Sequence, residues 1–308
     1  MDLTEIAGRF LAANTRIRRQ DTRDHYYRSI RQFSAHLGHE ATTDDLNDDA
    51  LASWMLATVD AGLTEVTANQ RAKQIRSLWN WAAKRRLVEV WPTVRNLTEP
   101  EPMPLAYDMD EVQRLMDACR RAKGWVGPHR ARDWWTSLHL FIWDTAERIG
   151  AVLAITRDLV DLDKLTVRVP AKLRKGGRLS MSYTIRPETA SALQVMLVPL
   201  SDSGLVWEHH WRCDSTMYRA YRTIVRDAGL KWDRRQSGFQ KLRRTVLTMI
   251  EVAGGDATAF ARHSSRRVTK ESYLDQRILA AVKKQVWPLP PKSAKHGFFD
   301  WLRRAAGG

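Results

Sequence analysis

Cysteine is almost absent from this 308-residue chain: Cys119 and Cys213 are the only two. Two cysteines cannot build a disulfide framework or a cysteine-rich zinc site, and such scarcity fits a reducing cytosol. No run approaches the ~18 consecutive apolar residues that a membrane span needs. The opening MDLTEIAGRF has an acidic residue at position 2 and no apolar core segment, so no secretory signal is expected. Low-complexity tracts and internal repeats are missing too, apart from a Pro-rich WPLPP at 287–291. What is present in ordinary amounts, 44% hydrophobic and 28% charged residues, excludes wholesale disorder. The length suggests about two domains and is enough to bury real cores. One quantity stands out. Fifty Lys and Arg face 35 Asp and Glu, a formal charge of +15, and a basic cytosolic protein usually meets a polyanion, most often nucleic acid.

That charge is uneven. Residues 1–100 carry 14 basic and 13 acidic side chains, whereas 101–308 carry 36 and 22. Between the two halves, Pro100, Pro102 and Pro104 fall within five residues and cannot continue a helix. Residues 1–98 are therefore expected to form one domain, 99–106 a linker, 107–292 a second domain and 293–308 a C-terminal tail.

The first domain reads as helical. Tyr26, Ile30, Phe33 and Leu37 follow the helical period, and so do Ile75, Leu78, Trp79 and Ala82. The second of these helices is expected to open with a capping box of Thr67 and Gln70. Its other face carries Lys73, Arg76, Asn80 and Lys84, followed by Arg85 and Arg86, a set suited either to plain solvation or to a DNA groove. Asp44, Asp45, Asp48 and Asp49 make an acidic patch elsewhere. In the second domain helices are expected at about 108–121, 129–147, 187–198, 214–228, 238–253 and 256–262. Strand-like stretches at Leu165 to Pro170 and Leu179 to Ile185 flank a cation-rich turn, Lys172-Leu173-Arg174-Lys175-Gly176-Gly177. The expected class is mainly α with a small β-sheet (α+β).

Three separated segments carry groups able to do chemistry: Asp144-Thr145-Ala146-Glu147-Arg148-Ile149-Gly150, Ser237-Gly238-Phe239-Gln240-Lys241-Leu242-Arg243-Arg244-Thr245, and Ala261-Arg262-His263-Ser264-Ser265 running on through Val268-Thr269 to Tyr273. Taken singly each has an ordinary structural explanation. Arg148 can cap a helix C-terminus, Ser237 and Gln240 can form a capping box, and Tyr273 can be a core residue on an amphipathic helix. Together they offer a nucleophile, Tyr273, and two guanidiniums that bind phosphate oxygens bidentately. A lysine on a mobile hairpin can act as general acid. No Walker loop accompanies them. The adjacent His209 and His210 lack supporting ligands and read as surface, so neither metal nor cofactor is expected.

In order and approximate spacing these segments resemble the tyrosine recombinase (phage integrase) family, over nearly the whole chain. The family pattern is an arginine after a Thr-Gly-like turn, a hairpin lysine, a His-x-Leu-Arg-His/Arg-Thr box, a Gly-His-Ser-Ser box and a tyrosine soon afterwards. The resemblance implies an N-terminal helical core-binding (SAM-like) domain followed by a mixed α/β catalytic domain. It implies Arg148, Lys172, Gln240, Arg243, His263 and Tyr273 as catalytic positions. It also implies a site-specific recombinase that cleaves DNA through a 3′-phosphotyrosyl link, without metal or ATP. Double-stranded DNA with inverted-repeat-like sites becomes the expected partner, bound by a dimer on a site and a tetramer in a synapse, in the cytoplasm with the nucleoid. Lys73, Arg76, Lys84, Arg85, Arg174, Lys175 and Arg244 are the expected DNA contacts, with Arg71, Arg178, Arg234 and Arg235 as further candidates. The aromatic tail, with Phe298, Phe299 and Trp301, would dock either on a neighbouring protomer or on its own chain.

The chain departs from the pattern in several places. Gln240 stands where the second box usually has histidine; an amide donates to phosphate but cannot act as a base. Ala151 stands three residues after Arg148, where an acidic brace is usual, and Arg262 replaces the glycine before His263. The ten-residue interval from His263 to Tyr273 is one longer than the family's. Lys172 and Lys175 compete for the hairpin role, with Lys172, the first of the turn, favoured. Two other readings stay open: a catalytically impaired DNA-binding relative, and a type IB topoisomerase-like enzyme.

Overall fold

In a computed structural model of the chain, the residues described are 1–101, 103–175, 179–198, 203–211, 214–233, 238–263 and 265–286. Cys213, Arg178, Arg234, Arg235, Ser237, Ser264, Gly176, Gly177, the WPLPP segment and the tail 293–308 lie outside them. The chain divides into two units, Met1–Glu101 and Pro102–Gly308.

The first unit is built on α1 (Leu3–Ala13), α2 (Gln20–Leu37), α3 (Asp48–Asp60) and α4 (Glu65–Lys84). Ile75, Leu78, Trp79 and Ala82 of α4 are fully buried, so the expected stripe is the core-facing one. The other three helices all pack on α4. The Thr67–Gln70 box does not form. The helix begins earlier, at a cap where the Thr64 hydroxyl accepts the Thr67 N–H; Thr67 is the third residue of the first turn, and Thr64 satisfies its otherwise free donor. The acidic patch is likewise structural in part. Asp45 forms a capping box with Thr42 at a single 3-10 turn, and Asp48 accepts the Thr93 N–H at 3.0 Å, tying down the segment after α4.

The second unit opens with α5 (Met109–Arg121), capped by a reciprocal Asp108–Glu111 box. A two-stranded antiparallel hairpin follows, β1 (Trp125–Val126) with β2 (His129–Arg130), and then α6 (Ala131–Thr145). The helix expected from 129 therefore starts two residues later, because His129 and Arg130 are spent pairing with β1. Next come α7 (Ile149–Val152) and a three-stranded antiparallel sheet, β3 (Val160–Asp161), β4 (Thr166–Val169) and β5 (Met181–Thr184), in that order. β4 and β5 are the two arms of the cation-rich turn, in register Val169↔Met181 and Val167↔Tyr183. The helices α8 (Pro187–Leu197), α9 (Asp214–Asp227), α10 (Phe239–Val252), α11 (Ala257–Ala261), α12 (Arg266–Tyr273) and α13 (Gln276–Val286) complete the unit. The fold class is mainly α with small antiparallel sheets. Helix α6 is its axis: Trp134, Leu138, Phe141 and Ile142 are fully buried, and α5, α8 and α10 pack against it. Beside it Tyr221 and Phe239 stack with ring centroids 4.1 Å apart, a contact that adds about 1 kcal/mol beyond burial and fixes the start of α10.

Candidate active site

Each arm of the site leaves a helix through a left-handed residue. Helix α6 ends at Ala146, with φ 47 and ψ 26, which turns the chain so that Glu147 points inward and Arg148 emerges at the N-terminal end of α7. Helix α11 ends at Arg262, with φ 52 and ψ 46, and His263 follows directly. Neither residue is glycine, although this conformation costs an L-residue about 1–2 kcal/mol. At Arg262, where the family resemblance would place glycine, the side chain is exposed and the cost is a matter of backbone alone. Arg262→Gly is expected to stabilise the protein by about 1 kcal/mol; a lower thermal midpoint in calorimetry would contradict this.

Four side chains from these segments converge. Arg148 Nη2 donates to the Tyr273 hydroxyl at 3.0 Å. The Arg243 side chain, 1% exposed, donates through Nη1 to the Ala146 carbonyl and through Nη2 to His263 Nε2, the latter at 3.1 Å. Its guanidinium also lies 5.2 Å from the Tyr273 ring centroid, and its Nε is buried without a partner among the described residues. His263 stacks loosely on Tyr273, centroids 4.3 Å apart. A fifth side chain, Gln240, reaches the same hydroxyl.

Tyr273 is held at the end of α12 from behind. Thr248 of α10 meets its carbonyl, and the fully buried Asp275 accepts the Ala106 N–H at 2.8 Å while its own N–H donates to Thr248. Burial would raise the phenol's pKa. The nearby Arg148 and Arg243 charges, with hydrogen bonds from Arg148 and Gln240, outweigh it and leave the pKa below its ordinary value.

His263 has a defined protonation state. An arginine only donates, so Nε2 must be the acceptor of the Arg243 bond, and Nδ1 carries the hydrogen and donates to Thr269 Oγ1 at 2.9 Å. Burial, then the charges of Arg243, Arg148 and Arg174, push its pKa down to about 4. The unfolded chain's imidazole titrates near 6.5, so between those values the unfolded state binds more protons. Stability therefore falls as pH drops from about 6.5 towards 4. Thermal midpoints of the wild type and of His263→Gln should diverge less and less across that window as pH falls; parallel curves would overturn the assignment.

The other sequence candidates fall outside this cluster. Lys172 and Lys175 are exposed on the turn beyond β4, and neither touches the four residues among the described contacts. Arg174 is not on the surface with them. It is 9% exposed and pairs with the buried Glu147, Nε to Oε1 at 2.6 Å, so it is no groove-facing cation. The reason is electrostatic: a carboxylate buried at the end of α6 needs a cation, and Arg174 is the one whose guanidinium pairs with it. Arg244 is half-buried and donates to the Ser272 carbonyl at 3.2 Å, behind the tyrosine. Ala151 is buried and offers Arg148 no brace; the carboxylate nearby is Glu147, whose Oε2 accepts the Arg148 N–H at 3.2 Å. Glu147 and Thr269 fall inside the segments singled out in the sequence but have no role assigned there, and Asp275 lies just beyond them with no signal in periodicity or motif.

In the first unit, Lys73, Lys84 and Arg85 are exposed, and Arg85 stacks 3.9 Å over the Trp81 ring. Arg76 is half-buried and donates to the Val94 carbonyl at 2.8 Å and to Asn96. With Asn69, Gln70 and Arg95 it lines a groove along α4. Arg71 is half-buried on the same helix.

Solved structures of two integrases share this architecture. A lambda integrase dimer bound to a COC′ core site matches at a TM-score of 0.69 and 14% identity, covering 90% of this chain and 96% of that one. The Tn1549 transposon integrase in complex with circular intermediate DNA matches at 0.69 and 13% identity, covering 91% and 99%. A lambda integrase tetramer bound to a Holliday junction matches at 0.64 and 15%, covering 86% and 78%. No family model and no curated protein matches the chain by sequence. The fold is that of the tyrosine recombinases.

Proposed function

We propose that this protein is a site-specific DNA recombinase that cuts and rejoins strands through a covalent link to Tyr273. The observation that carries the reading is the Tyr273 hydroxyl seated on the Arg148 guanidinium at 3.0 Å, with Arg243 and His263 against its ring. A tyrosine buried for packing alone needs no such company. Two like charges this close repel each other, an arrangement that a phosphodiester anion relieves.

In this reading the scissile phosphate lies between Arg148 and Arg243, which neutralise its non-bridging oxygens as the pentavalent transition state forms; positioned donors of this kind supply several kcal/mol. The Tyr273 oxygen attacks phosphorus as its phenolic proton passes to water. The P–O5′ bond breaks, and the departing oxygen takes a proton from the hairpin lysine, Lys172 or Lys175. A phosphotyrosyl diester keeps the energy of the bond it replaced, so a 5′-hydroxyl can reverse the step without ATP. His263 first orients Arg243 through Nε2. An arriving anion offsets the positive field that keeps the imidazole neutral, so protonation and direct donation to phosphate become accessible.

The same reading makes residues 1–98 a helical core-binding domain with the Lys73–Arg85 face of α4 against DNA, and 107–292 the catalytic domain. It makes inverted-repeat-like duplex sites the substrate, a dimer on each site and a tetramer in the synapse the working forms, and the nucleoid the place of action. Among the described residues no helix is long and apolar enough to cross a membrane.

The test is a covalent trap. Nicked duplexes tiled across the DNA that flanks the coding sequence let a short 5′-hydroxyl fragment diffuse away after cleavage, stranding the intermediate. A protein–DNA adduct on a denaturing gel, mapped to the Tyr273 peptide, is the expected result. Specific binding with no adduct would favour the impaired DNA-binding relative, and relaxation of supercoils without partner exchange the topoisomerase-like enzyme.

A further inference from the structure

We propose that Glu147, acting through Arg174, is a positioning residue that sets the lysine-bearing hairpin relative to the Arg148–Tyr273 pair. The proposal rests on the reading of Tyr273 as the nucleophile. One buried carboxylate ties together three pieces of chain. Its Oε1 accepts from Arg174 Nε at 2.6 Å and from the Tyr183 hydroxyl on β5 at 2.7 Å. Its Oε2 accepts the Arg148 N–H at 3.2 Å. Arg174 in turn reaches across the turn, Nη1 to the Leu179 carbonyl at 3.3 Å, and so fastens both arms of the hairpin.

The contacts have the character of a fixed joint. The side chains are 9% and 1% exposed, and burial, then the adjacent Glu147 charge, pushes the Tyr183 phenol well up, which keeps it a donor. Arg174 lies between the two candidate general acids, two residues after Lys172 and one before Lys175. Two residues of chain span at most about 7 Å, so anchoring Arg174 confines the backbone of both lysines. Arg174 is also among the charges that act on His263, and Glu147 is the only carboxylate paired with it among the described residues. No other hydrogen bond or ion pair seen among the described residues joins the turn at 171–175 to the turn at 146–148.

The experiment compares leaving groups. A 5′-oxygen departs as an alkoxide unless protonated, whereas a sulfur in its place leaves as a thiolate of pKa about 8.5 and needs no general acid. Glu147→Gln is expected to slow adduct formation on the all-oxygen nicked duplex by roughly 100-fold, the scale of one misplaced general acid. With 5′-bridging sulfur the same variant should cut within about threefold of the wild type. Equal slowing on both duplexes, or none on either, overturns the proposal. Glu147→Gln combined with Arg174→Met removes both buried charges; it should stay slow, and full recovery would mean that an unpaired charge, not a lost tether, was responsible. Trypsin supplies a readout that needs no DNA: cleavage after Lys172 and Lys175 should rise about tenfold in Glu147→Gln, as local opening becomes easier, while the rest of the unit stays protected. Should the wild type form no adduct on any duplex, the reading of Tyr273 fails, and unchanged tryptic cleavage would then sink the tether as well.

Discussion

Tyr273→Phe should bind DNA as the wild type does and form no covalent adduct. The ring is held independently of the hydroxyl: Tyr273 is 6% exposed, stacks at 4.3 Å on His263 and lies under Arg243. Phenylalanine keeps every one of those contacts. What disappears is the partner of Arg148 and Gln240 and the proposed nucleophile. Removing a nucleophile costs on the order of 10⁴- to 10⁶-fold in enzymes that work through covalent intermediates, which places the adduct below detection. Gel-shift affinity should hold within about threefold, because phosphate contacts rather than this hydroxyl supply it. An adduct that survives would assign the chemistry to another residue. The wild-type rate carries a second signature. A free phenol titrates near 10; here burial pulls that value up and the Arg148 and Arg243 charges pull it further down. Cleavage should therefore climb with pH and level off below pH 10.

The residues proposed for phosphate transfer were more legible than their supports. That chemistry, if run through tyrosine, restricts the residue types, so Arg148, Arg243, His263 and Tyr273 stand out in the sequence although they are spread over 125 positions, and the structure brings their side chains together. The stripe of Ile75, Leu78, Trp79 and Ala82 was equally plain, because the helical period is a local signal. Arg174 shows the limit. Inside Lys-Leu-Arg-Lys-Gly-Gly it looks like one more solvated cation, and only a partner 27 residues away makes it a buried one. The start of α4 failed for a smaller reason: Thr64 and Thr67 are spaced as cap and third residue, and Gln70 drew the box one turn too far along. β3 has two residues, too few to show an alternation. The competition between Lys172 and Lys175 is likewise not decided by position in the turn, since both are exposed there.

Arg243→Met is the substitution in which activity and stability should part most widely. Arg243 is almost fully buried, and burial first, then repulsion from Arg148, lowers its pKa; an effective desolvation penalty for one such ion is several kcal/mol. Methionine of similar length removes that penalty together with the orphaned Nε. Against this stand two charge-assisted hydrogen bonds, to Ala146 and His263, each worth about 1.5–3 kcal/mol. The opposing terms are of equal size, so net stability should change by about 1 kcal/mol, a shift of about 2–4 °C in the midpoint of a unit this large. Catalysis has no such compensation. One missing oxyanion donor costs roughly 10²–10³-fold, and this change removes a bidentate donor, its full charge and the group that His263 orients. Adduct formation should fall by at least about 10³-fold. Arg243→Lys keeps the charge but not the fork that spans Ala146 and His263, so it should recover only part of the rate. Calorimetry and the trapped adduct, measured on the same preparation, decide the matter. A midpoint lower by tens of degrees, with activity lost in proportion, would make Arg243 a structural residue whose burial explains its presence. A folded protein that no longer cuts would mean that the molecule tolerates a buried guanidinium beside a second one that repels it, because the phosphate it waits for needs both.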